Sequence, residues 1–272
     1  MTFSKMLTSA LAGVALLALA GPASADQLAD IKAAGKIVTS VDMHFTPFGM
    51  VVDGKYEGLN KDLFDEVAKE LGVEPVYQDI PWPAQLPGME VKKFDIVTTA
   101  AAITPERLER YAFTLPVVYA PVGLIRAAGN NDIRKPEDIK GKVAGAIQGS
   151  TQAKKLRAFS DEIGGVDIRE YGTIDEAYAD LVAGRLDAVA GTLPILAYLV
   201  TKRPESFALL EPAEIGDPDY LAWVGRKDED SASLMKAIDD AILKMTDDGR
   251  MKAIQEKWLG TYTELPREVP TK

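Results

Sequence analysis

Residues 36–99 read KIVTSVDMHFTPFGMVVDGKYEGLNKDLFDEVAKELGVEPVYQDIPWPAQLPGMEVKKFDIVTT, and the reading of this stretch decides the fold. Lys36–Val41 is a short apolar run rich in β-branched residues and reads as a strand. Asn60–Leu71 follows as a helix, with Leu63, Phe64, Val67, Ala68 and Leu71 spaced to share one face. Asn60 is placed to cap its start and Gly72 to close its end. Glu74–Gln78 and Phe94–Thr99 read as two further strands. Strands and helices in this alternation build a parallel sheet.

A second series follows downstream. Val122–Ala127, Lys142–Ile147, Val166–Glu170 and Leu186–Gly191 read as strands with helices between them. One helix opens at Ser150-Thr151; another opens at Thr173 with Glu176 three residues on, a capping box, and ends near Gly184. Ser231–Leu259 reads as two helices broken at Asp248-Gly249. Two α/β series without a long linker imply an α/β protein of two lobes, residues 26–121 with 222–272 and residues 122–221. Ligands in open α/β sheets bind beyond the carboxyl ends of the strands, so the lobes should face each other across a cleft.

The N-terminus sets the compartment. Lys5, an apolar run from Leu11 to Ala20, and the exit Ala23-Ser24-Ala25 describe a cleavable secretory signal over residues 1–25. The apolar run is shorter than the ~20 residues that a membrane span needs. The chain has no cysteine, which excludes a lipid anchor and disulfides. Removing the leader with Lys5 leaves 30 Lys and Arg against 41 Asp and Glu, a net charge near −11. That balance argues against nucleic acid and anionic membrane surfaces as partners. A free receptor in the periplasm, acting as a monomer, is the expectation.

Several motifs in order resemble the periplasmic polar-amino-acid-binding proteins, the family 3 solute-binding proteins of the type II periplasmic-binding fold. They are Asp42 with Phe45-Thr46-Pro47-Phe48, Gly58-Leu59-Asn60-Lys61-Asp62-Leu63, Ile103-Thr104-Pro105-Glu106-Arg107, Phe113-Thr114, Gln148-Gly149-Ser150-Thr151, Gly184-Arg185-Leu186-Asp187-Ala188-Val189 and Lys257-Trp258-Leu259-Gly260. The resemblance implies two lobes joined by two hinge crossovers, near Tyr119–Gly123 and Asp219–Trp223. It implies a small carboxylate-bearing ligand, an amino acid or a derivative, and as partner an ABC permease of the inner membrane with its ATPase. It implies no cofactor and no metal.

The same resemblance assigns ligand-binding residues. Arg107 matches the arginine that grips the ligand carboxylate, and a planar guanidinium presents a fork to two carboxylate oxygens. Arg110 is expected in solvent. Gly149, Ser150 and Thr151 match the opposite lobe's contribution, where glycine allows close approach and the amides of Ser150 and Thr151 at a helix start suit an anion. Phe45 and Trp82, placed in loops after strands, match the aromatic walls. Asp42 and Gln85 align with pocket-facing positions, and His44 reads as a rim residue. The departures are Thr192, where amino-acid binders carry the acid that takes the α-ammonium, and Ala102 and Ala100, where they offer hydroxyls or tight backbone contacts. Either the ligand lacks a free α-ammonium, or Asp42 takes that role. Other readings on this fold are a periplasmic enzyme, as in cyclohexadienyl dehydratases, and a receptor that feeds a signalling partner.

Cleavage after Ala25 predicts that N-terminal sequencing of the exported protein starts at Asp26. A leader retained in the membrane fraction would overturn the free-receptor reading.

Overall fold

A computed structural model describes residues 26–260 and 262–271; the expected signal segment lies outside the described residues. The first half of the chain gives α1 (Gln27–Ala34), β1 (Lys36–Val41), a hairpin of β2 (Met50–Val52) and β3 (Lys55–Glu57), α2 (Leu59–Leu71), β4 (Glu74–Asp79), α3 (Trp82–Glu90), β5 (Ile96–Ala102), α4 (Pro105–Arg110) and β6 (Tyr111–Phe113). A long strand β7 (Val118–Ala127) leads to β8 (Val143–Ile147), α5 (Thr151–Ile163), β9 (Asp167–Tyr171), α6 (Ile174–Val182), β10 (Ala188–Thr192) and α7 (Leu193–Lys202). A second long strand, β11 (Phe207–Arg226), returns the chain to α8 (Glu229–Asp247) and α9 (Arg250–Leu259).

The strands lie in the order β4-β1-β5-β11-β7-β10-β8-β9, with β6 on β11. On one flank β1 is parallel to β4 and β5; on the other β8 is parallel to β9 and β10. The parallel sheet expected from the alternation therefore appears twice, once per lobe. Between the flanks β7 and β11 run antiparallel, paired from Phe207 opposite Ala127 to Leu221 opposite Val118. Both expected crossovers, Tyr119–Gly123 and Asp219–Trp223, fall inside these two strands.

Local chemistry accounts for most of the element ends. Thr173 Oγ1 accepts from the Glu176 amide while Glu176 accepts from the Thr173 amide, the capping box read in the sequence. Gly72 ends α2 at φ 75°, a left-handed conformation that favours glycine. The start of α2 departs from expectation. Gly58, at φ 137°, occupies the cap position, and Asn60 lies inside the helix, 1% exposed. Several expected strands are displaced: Phe94–Thr99 becomes Ile96–Ala102, Val166–Glu170 becomes Asp167–Tyr171, Leu186–Gly191 becomes Ala188–Thr192, and Val122–Ala127 begins earlier, at Val118.

The face of α2 that the periodicity selected is buried under α8, whose Leu234, Ile238, Ile242 and Met245 are almost fully covered. Trp223 of β11 packs edge-on against Phe64 at 5.2 Å, fixing the hinge strand to this core. Helix α8 also carries Asp239, whose carboxylate accepts from the Leu115 amide at 2.7 Å. Burial pushes this carboxyl up to about 6 from its ordinary 3.8. Between those values the folded chain keeps the Asp239 proton and the unfolded chain has released it, so this group lowers stability as pH rises through about 6. Asp239→Asn, which keeps an acceptor for Leu115, should stabilise the protein by about 1 kcal/mol at neutral pH, allowing for its partial exposure. The gain should shrink as pH falls below about 6 and vanish below 3.8, where the folded and unfolded chains both hold the proton. Denaturant unfolding at the two pH values checks this, and an equal effect at both would remove the burial account.

Candidate ligand cleft

The carboxyl ends of β1 and β5 face those of β8 and β10 across a cleft of about 400 Å³, counting its open mouth. Asp42 stands at the end of β1, 4% exposed. The chain then doubles back, with the Phe45 amide donating to Gly49 O at 3.0 Å and the Gly49 amide to Phe45 O at 3.0 Å. A Cβ at position 49 would lie 2.3 Å from the Asp42 carbonyl oxygen, so only glycine permits this turn. The turn sets Phe45 at the cleft wall, stacked on the buried Phe48 at 5.9 Å. Strand β5 is buried throughout, and its Thr99, Ala100, Ala101 and Ala102 line the cleft. Thr99 Oγ1 accepts from the Asp42 amide at 2.8 Å, locking β1 to β5 beside the site.

Arg107 reaches the cleft from the first turn of α4, where Thr104 Oγ1 accepts its amide. Its Nη1 donates to Ala102 O at 3.0 Å, and its Nη2 donates across the cleft to Gly149 O at 3.2 Å. The guanidinium lies 5.1 Å from the Trp82 ring, a cation–π contact. Burial lowers the Arg107 pKa, and the Asp219 carboxylate is the main charge opposing that shift. A guanidinium has five N–H groups, so after two carbonyl bonds it still offers a pair to a carboxylate.

The start of α5 faces the cleft from the other lobe. Ser150 Oγ accepts from the Ala153 amide at 3.1 Å and donates to Ile147 O at 2.7 Å, so its hydroxyl is fully engaged as a cap. Its amide donates to Ile147 O at 3.2 Å, which changes the expected anion site. Among the described residues, the Thr151 and Gln152 amides have no acceptor, and both residues line the cleft. The unpaired donors at this helix start are therefore Thr151 and Gln152 rather than Ser150 and Thr151.

Asp42, Phe45, Trp82, Ala100, Ala102, Arg107, Ser150, Thr151 and Thr192 all line the cleft, as read from the sequence. Gly149 takes part through its carbonyl, with φ 69°. Gln85 does not line it: buried below, it donates to Ile80 O at 2.7 Å and braces the turn that carries Trp82. Trp82 sits in the first turn of α3, not in a loop. Thr99, Ala101, Ile147, Gln152 and Leu221 join the lining without having been singled out. Gln152 follows the Ser-Thr cap, and its place in the first turn of α5 was the available signal. Its Nε2 donates to Thr192 Oγ1 at 2.8 Å.

The burial of Asp42 raises its pKa, against the pull of the His44 amide, which it accepts at 2.9 Å. His44 stands on the rim between Asp79 at 3.7 Å and Asp175 of the facing lobe at 3.6 Å. Arg110 is exposed and pairs with Glu90 at 2.6 Å. Lys154 of α5 also pairs with Glu106 of α4. The His44–Asp175 and Lys154–Glu106 pairs, with Arg107 to Gly149, join the two sides of the cleft in a closed arrangement.

The model of the bacterial extracellular solute-binding proteins, family 3, matches residues 37–261. The chain is 30% identical over 259 residues to the L-cystine-binding protein TcyJ of Escherichia coli (strain K12), covering 92% of this chain and 95% of that protein. It is 29% identical to the lysine/arginine/ornithine-binding periplasmic protein of the same strain, covering 80% of this chain and 85% of the relative. Among solved structures it resembles the ancestral amino acid-binding protein AncCDT-1, a precursor of cyclohexadienyl dehydratase. The TM-score is 0.78 and the identity 26%, covering 86% of this chain and 100% of that one. With the matching model spanning nearly all of the described residues and the two-lobed fold agreeing, the chain belongs to the bacterial extracellular solute-binding proteins, family 3.

Proposed function

We propose that this solute-binding protein captures a small carboxylate in the periplasm and holds it between Arg107 and the start of α5. The observation that carries the reading is the facing of two donor sets across one cleft. Arg107 keeps a pair of N–H groups after its bonds to Ala102 and Gly149, and the Thr151 and Gln152 amides opposite lack acceptors. Buried donors of this kind favour an anion, and a bidentate carboxylate is the smallest group that satisfies a guanidinium fork. Phe45 and Trp82 then flank the body of the ligand.

Residues 26–121 with 222–272 form one lobe in this reading and residues 122–221 the other, bending about β7 and β11. Proteins of this family bind small amino-acid ligands and work with ABC permeases. The closed, loaded form is the state offered to an inner-membrane permease and its ATPase. The protein acts without turnover. The buried Asp42, with its raised pKa, is what favours a second reading as an acid catalyst on the same fold. Incubation with arogenate or prephenate separates the two, and any turnover abolished by Asp42→Asn would support the enzyme.

Mass spectrometry of protein purified under native conditions should reveal a bound carboxylate. Arg107→Ala should weaken that ligand by about 2–5 kcal/mol in calorimetry. Arg107→Lys should also bind poorly, because an ammonium lacks the fork. Unchanged affinity in both variants would remove Arg107 from the site.

Ligand contacts from both lobes should favour closure. Small-angle scattering should give a smaller radius of gyration for saturated than for stripped protein, and the melting temperature should rise with ligand. Identical scattering from verified apo and saturated samples would count against the hinge.

A further inference from the structure

An ion pair lies beside the carboxylate site without lining the cleft. Asp219 stands in the hinge strand β11, two residues before the cleft-lining Leu221, and strand alternation puts both on one side of the strand. Leu221 pairs with Ala102, whose carbonyl accepts from Arg107 at 3.0 Å. Lys155 stands on α5, four residues after the cleft-lining Thr151 and on the same helix face. Lys155 Nζ lies 2.7 Å from Asp219 Oδ1, with the side chains 20% and 12% exposed, and it also donates to Asp217 O. The second carboxylate oxygen, Asp219 Oδ2, is buried without a hydrogen-bond partner among the described residues. Asp219 is also the charge that most opposes the lowering of the Arg107 pKa by burial.

We propose that Asp219 sets the affinity of the carboxylate site from the hinge, without touching the ligand. With Arg107 and Lys155 it forms a unit of three charges whose single net positive charge is matched to one ligand carboxylate. The proposal rests on the carboxylate reading of the cleft. A buried carboxylate with a bare oxygen is costly, and it persists where cations stand on both sides of it. Lys155 supplies one of these cations and Arg107 the other. Glu106 and Lys154 pair with each other at the surface, so they add no net charge. Asp42 ends β1, on the other side of β5 from β11. Without Asp219, the site would present two positive charges and hold an anion more tightly. Without Lys155, Asp219 would repel the ligand carboxylate and offset Arg107. Breaking the same ion pair from its two ends therefore moves anion affinity in opposite directions. A salt bridge that served only to hold α5 against β11 would give losses from both ends.

The test is calorimetry on stripped, full-length mature protein, with acetate and the standard L-amino acids as probes. Asp219→Asn keeps an acceptor for Lys155 and removes the charge; it should bind every probe that the wild type binds about fivefold tighter. Lys155→Gln should bind the same probes about fivefold more weakly. The double variant restores the net charge and should return to within about twofold of the wild type. Should Asp219→Asn fail to fold, Asp219→Ser takes its place with the same expected sign, and the loss in Lys155→Gln must still be recovered in the double variant. Weaker binding in both single variants, no change in either, or a double variant weaker than Lys155→Gln would overturn the proposal, as would the absence of binding by every probe. Arg107→Ala separates the two levels. Binding that it abolishes, but that is equal across the charge variants, leaves the carboxylate reading in place and overturns the proposal alone. Binding that survives Arg107→Ala undiminished removes the carboxylate reading and the proposal with it.

Discussion

The antiparallel pairing of β7 with β11 is the constraint on which the rest depends. These two strands pass between the lobes, and they are each other's hydrogen-bonding partners from Val118 opposite Leu221 to Ala127 opposite Phe207. The ladder is broken in two places, between Leu209 and Glu214 and between Ile215 and Asp219, where β11 shifts register. A shifted ladder bends more readily than a regular one, and the second shift lies where the chain passes from one flank to the other. Lys155 of α5 holds Asp219 at 2.7 Å beside it, so the helix that faces the cleft is tied to the bend of the hinge. Movement of α5 toward or away from Arg107 therefore changes the geometry of β11 directly.

What the sequence revealed is what local chemistry determines. The apolar face of α2 and the Thr173–Glu176 box depend on residues within one or two turns, and both were read correctly. β11 was missed because Pro212, Gly216 and Pro218 lie within one strand, a composition that reads as loop. The structure accommodates this sequence through the two register shifts, which depend on β7 as partner. Trp82 stands between Pro81 and Pro83, which also reads as loop, yet Pro81 and Pro83 frame the first turn of α3, where proline is tolerated. Leu221 and Ile147 enter the cleft because distant strands pair, and no short-range pattern announces that.

The electrostatics of the cleft explain why arginine and closure belong together. Arg107 has exchanged water for two carbonyls and the face of Trp82, and burial has lowered its pKa. One of those carbonyls, Gly149 O, belongs to the opposite side and is within reach only when the cleft is closed. Opening thus returns part of the guanidinium to water, whereas a carboxylate between the lobes would replace weak neutral acceptors with a charge-assisted pair. A ligand that gains this pair only in the closed form shifts the population by that difference and by no more.

The same balance bears on where a ligand's amine could sit. Asp42 is the acid among the described cleft-lining residues, and burial favours its protonated form while the His44 amide favours the charged one. A cation beside it would favour the charged carboxylate and oppose the effect of burial. On the opposite wall Thr192 has its hydroxyl oxygen engaged by Gln152 and lies 1% exposed, so no charge change is available there. The two walls therefore impose different demands on one ligand. The Asp42 side can accept a positive group and the Thr192 side cannot, and the orientation of the ligand body between Phe45 and Trp82 follows from which of its ends is neutral.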